Sequence, residues 1–276
     1  MKRSACLLIG LLTATGAMAA ESKNPGILAR VFPSYSAATN RQSEFTNREG
    51  KPALVKVVDA KPWKAGGKRY LVAFVEIVDD DSSFDSLCGN CMDSGLLAVL
   101  KEEKGKLALV ARQEAGTQAK APAEDEASGP SEAVFFSGHD QVSLDLAPYR
   151  LTRDETLIGV RIEHMWLPAL RWETHLQLFR IVGGTLTPVF ETPVVVREYP
   201  ENDDSVVKIT TTLSTRPSGR FHELVADRVT IRCPMMTTQE RSIDEDCTPE
   251  RKGVVRVGRQ RERWSFDGKK FDLLRE

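Results

Sequence analysis

Two cysteines three positions apart, Cys88-Gly-Asn-Cys91, are the first residues whose type and spacing suggest chemistry. A C-x-x-C pair lowers a thiolate pKa and supports thiol–disulfide exchange when it opens a helix, because the helix N-terminus stabilises the anion. Here the pair follows an acidic run and enters Gly95–Leu100, which reads as a strand. Asp81, Asp85 and Asp93 would raise a thiolate pKa. These surroundings favour a loop staple over a thiol–disulfide oxidoreductase. The same run offers Asp79, Asp81, Ser83 and Asp85 at alternating positions, the opening of a calcium loop. Phe84 stands where such a loop needs glycine, and Asn90 where it needs a bidentate glutamate. A solvated acidic turn is the simpler reading, and no metal is expected.

On the C-terminal side, Arg259, Arg261 and Arg263 recur with period two. On a strand all three project from one face, and with Arg251, Lys252 and Arg256 they form a positive stripe. Such a stripe either meets an anionic partner or protects the edge of a sheet. The four histidines, His139, His164, His175 and His222, form neither H-E-x-x-H nor H-x-x-x-H; His164 and His175 could approach across neighbouring strands, where packing or surface roles are the simpler reading. No nucleophile elbow, phosphate-binding loop or dinucleotide fingerprint occurs, so catalytic residues and cofactors are both predicted as none.

The chain that must position these residues has 276 residues, with 38 Lys+Arg against 39 Asp+Glu. A formal charge of −1 argues against a nucleic-acid binder, and a mean hydropathy of −0.30 against a polytopic membrane protein. Lys2 and Arg3 precede the apolar run Ala5–Thr13 and the small-residue site Ala17-Met18-Ala19. That order is a secretory signal peptide, and the run is too short to span a bilayer. Its compact form suits a periplasmic or secreted protein of a Gram-negative bacterium. Removal of residues 1–19 leaves 257 residues carrying −3. Four cysteines then remain in an oxidising compartment: Cys88, Cys91, Cys233 and Cys247. Four allow three pairings. Cys88–Cys91 with Cys233–Cys247 is favoured, since the loop between the latter two has little apolar surface. Closing it stabilises the fold by roughly 3 kcal/mol in the chain-entropy model. A bridge between the two pairs is the alternative.

Residues 20–52 read as an irregular lead-in, and 53–276 as one all-β domain with a flexible insertion near 115–133. Alternation marks strands at 53–60 and 68–78, separated by the turn KPWKAGG. Further strands are read at 96–101, 106–113, 141–146, 156–166, 175–181, 185–190, 205–213, 224–232, 254–266 and 270–274. Hairpin turns fall at Lys104-Gly105, Gly183-Gly184 and Asp267-Gly268. Helical periodicity is almost absent. The expected architecture is helix-poor, with hairpin-built antiparallel sheets in a large sandwich or a propeller-like arrangement of four-stranded units.

Two stretches carry a resemblance. YLVAFVEIV with the C-x-x-C and GLLAVL is one; LDLAPYRLTRDETLIGVR followed by LQLFRIVGGTLTPVFE is the other. Their order resembles uncharacterised secreted or periplasmic β-rich proteins of proteobacteria. The resemblance implies an exported all-β protein with a cysteine-stapled loop and implies no reaction. The function expected is a non-enzymatic binding or inhibitory protein of the cell envelope, whose partner is an envelope protein or glycan. A periplasmic immunity protein against a delivered toxin is a specific version; thiol exchange at Cys88/Cys91 and metal-dependent binding at Asp79–Asp85 are the alternatives.

Overall fold

The computed structural model describes residues 24–46, 50–78, 92–113, 134–137, 141–166, 171–198, 205–234, 247 and 253–274. The expected signal peptide, the expected insertion near 115–133, Cys88, Cys91, Asp79, Asp81 and Asp85 lie outside them. The chain is all-β. Among the described residues one helix, α1 (Asn24–Val31), precedes fourteen strands: β1 (Arg41–Thr46), β2 (Pro52–Ala65), β3 (Lys68–Val78), β4 (Met92–Glu103), β5 (Lys106–Arg112), β6 (Val134–Ser137) and β7 (Gln141–Asp145). There follow β8 (Ile158–Trp166), β9 (Arg171–Val182), β10 (Thr185–Glu198), β11 (Ser205–Ser218), β12 (Phe221–Pro234), β13 (Val255–Phe266) and β14 (Phe271–Leu273).

Two meanders make up the body, β1 to β5 and β7 to β14, each antiparallel strand to strand. They join at β5 and β10 through one parallel bridge, Thr185 opposite Arg112, with the Arg112 N–H donating to the Gly184 carbonyl at 3.2 Å. The ladder is continuous, so the hairpins expected at positions 104, 184 and 268 belong to one curled sheet and form no separate blades. At the first two hairpins the paired positive φ values, 51° and 75° at Lys104-Gly105 and 59° and 90° at Gly183-Gly184, match the tight turns the right-handed twist demands.

The curl brings β7 beside β2, although the two share no ladder. Side chains close the gap. The Leu144 N–H donates to Asp59 Oδ2 at 2.9 Å, and Lys61 Nζ donates to the Leu144 carbonyl at 2.8 Å. Lys61 and Asp59 are themselves paired at 2.9 Å. Inside this seam lies one core, with Trp63, Val72, Phe74, Leu97 and Val99 from the first meander against Leu144, Ile158, Val160, Ile162, Phe179 and Leu186 from the second. These are alternate residues of their strands, as a filled barrel-like interior requires.

Both outer faces are covered as well. The supposedly irregular lead-in supplies α1 and β1, a correction to the sequence reading. Pro25 suits the first turn of α1, and Ile27, Leu28, Val31 and Phe32 pack over Val55, Ala73, Val75 and Ala98. One eight-residue helix is too short for a periodic signal to emerge. Arg112 fixes it in place, donating to the Val31 carbonyl at 2.9 Å and pairing with Glu44 at 2.8 Å. Within the second meander, Leu224, Phe266 and Phe271 of β12 to β14 pack on Leu176, Leu178 and Phe190 of β9 and β10.

Proline placement explains where strands exceed their expected ends. β2 runs on through Pro62 and Trp63, which sit inside the strand and not in a turn. β1 covers only the first residues of β2, so Pro62 lies on an uncovered edge where no N–H is needed. β10 likewise passes Pro188 and Pro193, each beside a bulge.

Gly159 tests the packing of this body. A Cβ there would stand 2.6 Å from the Asp145 carbonyl oxygen and 3.0 Å from Leu176 Cδ1. Gly159→Ala is expected to lower stability by about 2–3 kcal/mol in urea unfolding, the cost of overpacking against backbone. A change below about 0.5 kcal/mol, the usual range for surface sites, would contradict this packing.

Candidate functional site: a cationic cleft at the seam

Cys233 and Cys247 are joined by a disulfide, with Cα atoms 5.7 Å apart. They are buried with Ile231 against Val229 and Val254, so the bridge secures the end of β12. Arg259, Arg261 and Arg263 do share one face of β13. Opposite them β12 presents acids. Arg261 grips Asp227 through two bonds of 2.8 and 3.0 Å, and Arg263 donates to Glu223 at 2.8 and 3.1 Å. The Arg261 guanidinium holds the Asp227 carboxyl below its usual range, and Arg263 does the same for Glu223. Two of the three arginines are therefore committed within the sheet.

His175 sits in a second ionic group. β9 carries Ile181 and Phe179 into the core, and by alternation Gln177, His175 and Glu173 continue the same row toward one end. The ring is bracketed: Nε2 lies 2.7 Å from Glu173 Oε2 and Nδ1 lies 3.1 Å from Glu191 Oε1. Gln177 Nε2 donates to the other Glu191 oxygen at 3.0 Å. Burial disfavours the charged ring, but the hydrogen bonds and charges of Glu173 and Glu191 outweigh it and raise His175 to about 9. Glu173 is lowered, first by its bond from His175. An imidazolium with both N–H groups engaged has no lone pair for a metal or for general base catalysis. The carboxylates flank opposite ring nitrogens and converge on no shared point. Among the described residues, no three His, Cys, Asp or Glu side chains are arranged to hold a metal ion.

Three further cations gather at a cleft of about 360 Å³ where the seam opens at one end of the body. One wall is the end of β2, Pro62 to Ala65, with Gly66 of the following turn; the other is the β7–β8 connection, Leu146 to Thr156. Trp63 is only 6% exposed and packs on Tyr70 at 5.5 Å between centroids, so it forms a wall and offers no stacking face. The connection reads Y-R-L-T-R-D-E-T-L from Tyr149. Tyr149, Leu151 and Leu157 are buried in the outer core, which turns Arg150 and Arg153 outward toward the cleft.

The connection holds its own shape. Tyr149 accepts from the Leu157 N–H at 2.8 Å, the Leu151 N–H donates to the Glu155 carbonyl at 2.9 Å, and Arg150 bridges Thr156. Thr152 Oγ1 accepts from the Glu155 N–H at 3.0 Å. Glu155 is gripped by Arg180 through bonds of 2.6 and 3.1 Å. At its base, Asp145 Oδ2 accepts from the Tyr149 hydroxyl at 2.9 Å and from Arg161 Nε at 2.7 Å. Burial first, then the Asp145 charge, pushes the Tyr149 hydroxyl up to about 12, so it remains a donor.

Lys64, Arg150 and Arg153 line this cleft with Asp154. Among the described residues none of these three cations has a carboxylate within ion-pair distance. Sequence reasoning passed over them, because single basic residues between apolar ones look like the wet side of a strand. No protein-family model, characterised protein or solved structure matches this chain.

The bracketed histidine predicts a pH dependence. Its folded pKa lies above the ordinary imidazole value of 6.5, so its stabilisation is complete below pH 6.5 and is lost as pH rises through about 9. The wild type should lose on the order of 3 kcal/mol across that window relative to its stability at pH 6. His175→Gln should lack this slope in urea titrations at pH 6, 7.5 and 9.5. Identical slopes in the two proteins would contradict the bracket.

Proposed function

We propose that this chain is an exported envelope protein that binds a ligand at the seam cleft without transforming it. One observation carries the reading: among the described residues, Lys64, Arg150 and Arg153 stand without carboxylate partners around a concavity whose outer wall is fixed by its own hydrogen bonds. Arginine and lysine as free cations hold charge and donate hydrogen bonds, but they do not shuttle protons near neutral pH. A preformed polar wall of this kind suits recognition, because little ordering is left to be done on binding. The address rests on Lys2, Arg3, the run Ala5–Thr13 and Ala17-Met18-Ala19, and the disulfide between Cys233 and Cys247 suits an oxidising compartment. An inhibitory role fits the same surface.

Immobilised wild type and the Arg150→Glu, Arg153→Glu double variant, passed over small-molecule and lipid extracts of the envelope, test this reading. The wild type should retain a component at least about tenfold better, the effect of reversing two cations at a polar site. That component should elute with unchanged mass. Equal retention by both proteins, or elution of a chemically altered product, would overturn it.

A further inference from the structure

The charge within the cleft points to the kind of ligand. Lys64, Arg150 and Arg153 against Asp154 leave a net charge of +2 at the lining. A neutral sugar leaves that charge uncompensated, and a single carboxylate leaves half of it. A phosphate monoester carries about −1.5 to −2 at pH 7 with three strong acceptor oxygens. Guanidinium groups donate in a fork that matches two of those oxygens, and an ammonium supplies a point charge to the third. The cations also come from both walls, Lys64 from β2 and the arginines from the β7–β8 connection, so a compact group between them meets donors from two sides. Asp154 faces the same space as an acceptor suited to a hydroxyl next to the phosphate. At about 360 Å³ the cleft has the size of a small-molecule site.

We infer that the seam cleft takes a phosphate monoester, free or at the head of a lipid, with Lys64, Arg150 and Arg153 as its donors. This rests on the cleft being the ligand site. All four lining charges are on residues whose loss empties no core, so their substitution leaves the fold in place.

Calorimetry at low ionic strength with glycerol 3-phosphate, glucuronate and glycerol compares a dianion, a monoanion and a neutral molecule. Co-sedimentation with phosphatidic acid vesicles, against phosphatidylcholine vesicles, adds the lipid-borne form. Glycerol 3-phosphate or phosphatidic acid should bind; glucuronate should bind at least about threefold more weakly than glycerol 3-phosphate and glycerol should give no heat. Arg150→Ala and Arg153→Ala should each weaken binding by about three- to tenfold, whereas Asp154→Asn should tighten it by about two- to threefold. The gain from Asp154→Asn cannot come from damage to the fold. Binding of glycerol 3-phosphate alone marks a soluble ligand, and of phosphatidic acid alone a lipid headgroup; both uphold the inference. It is overturned if neither binds, or if glucuronate or glycerol binds as tightly as the monoester. Should an envelope component still be retained through Arg150 and Arg153 in that event, only the ligand class falls; should that retention also fail, the cleft itself is no ligand site.

Discussion

A sheet this long must either leave two exposed edges or curl until they meet. Here the edges of β2 and β7 meet without a backbone ladder, and the contact rests on two side chains. Asp59 and Lys61 take up both backbone groups of Leu144, at 2.9 and 2.8 Å, and are paired with each other. An unpaired backbone group buried at such a junction costs about 1–3 kcal/mol, so the closure is set by these polar contacts as much as by the apolar interior behind them. Everything on the two sides of the seam takes its position from it. Trp63 and Lys64 follow Lys61 on one strand, and Arg150 and Arg153 follow Leu144 in the connection that leaves the other.

Charge is used in two different ways across the molecule. Many of the described ionic side chains stitch one element to the next: Arg112 to Glu44, Arg161 to Asp145, Arg180 to Glu155, Arg261 to Asp227 and Arg263 to Glu223. His175 between Glu173 and Glu191 belongs with them. Exposed pairs of this sort add little stability singly, but they fix register between strands whose outer faces are polar. The cleft is different. Its cations sit next to elements that are already held by other bonds, and among the described residues Lys64, Arg150 and Arg153 have no carboxylate within ion-pair distance.

Much of the fold could be read from the sequence, because a β-strand with one buried face must alternate. Strands such as 68–78 and 156–166, and the turns at Lys104-Gly105, Gly183-Gly184 and Asp267-Gly268, carry that pattern openly. Three features escaped it. The helix at Asn24–Val31 is too short to show a period, and β2 and β10 pass through prolines that usually end strands. The seam depends on Asp59 and Lys61, which on a strand look like ordinary solvent-facing residues. The cleft was hidden for the same reason. Cys233 and Cys247 lie only 14 positions apart around a polar loop, and a local constraint of that kind is visible in sequence. Lys64 and Arg150 are 86 positions apart and become neighbours only after the sheet has closed. The regular spacing of Arg259, Arg261 and Arg263 drew attention to β13, yet spacing says nothing about the acids on the facing strand.

Hydrogen exchange at the Leu144 amide tests the seam most directly, because that N–H is held by the Asp59 side chain and by no ladder partner on that side. In Asp59→Ala the Leu144 amide should exchange at least about tenfold faster, the equivalent of about 1.4 kcal/mol, while the Phe179 amide within the second meander keeps its protection. An unchanged Leu144 amide in the variant would mean that the seam between β2 and β7 is held by something other than this contact.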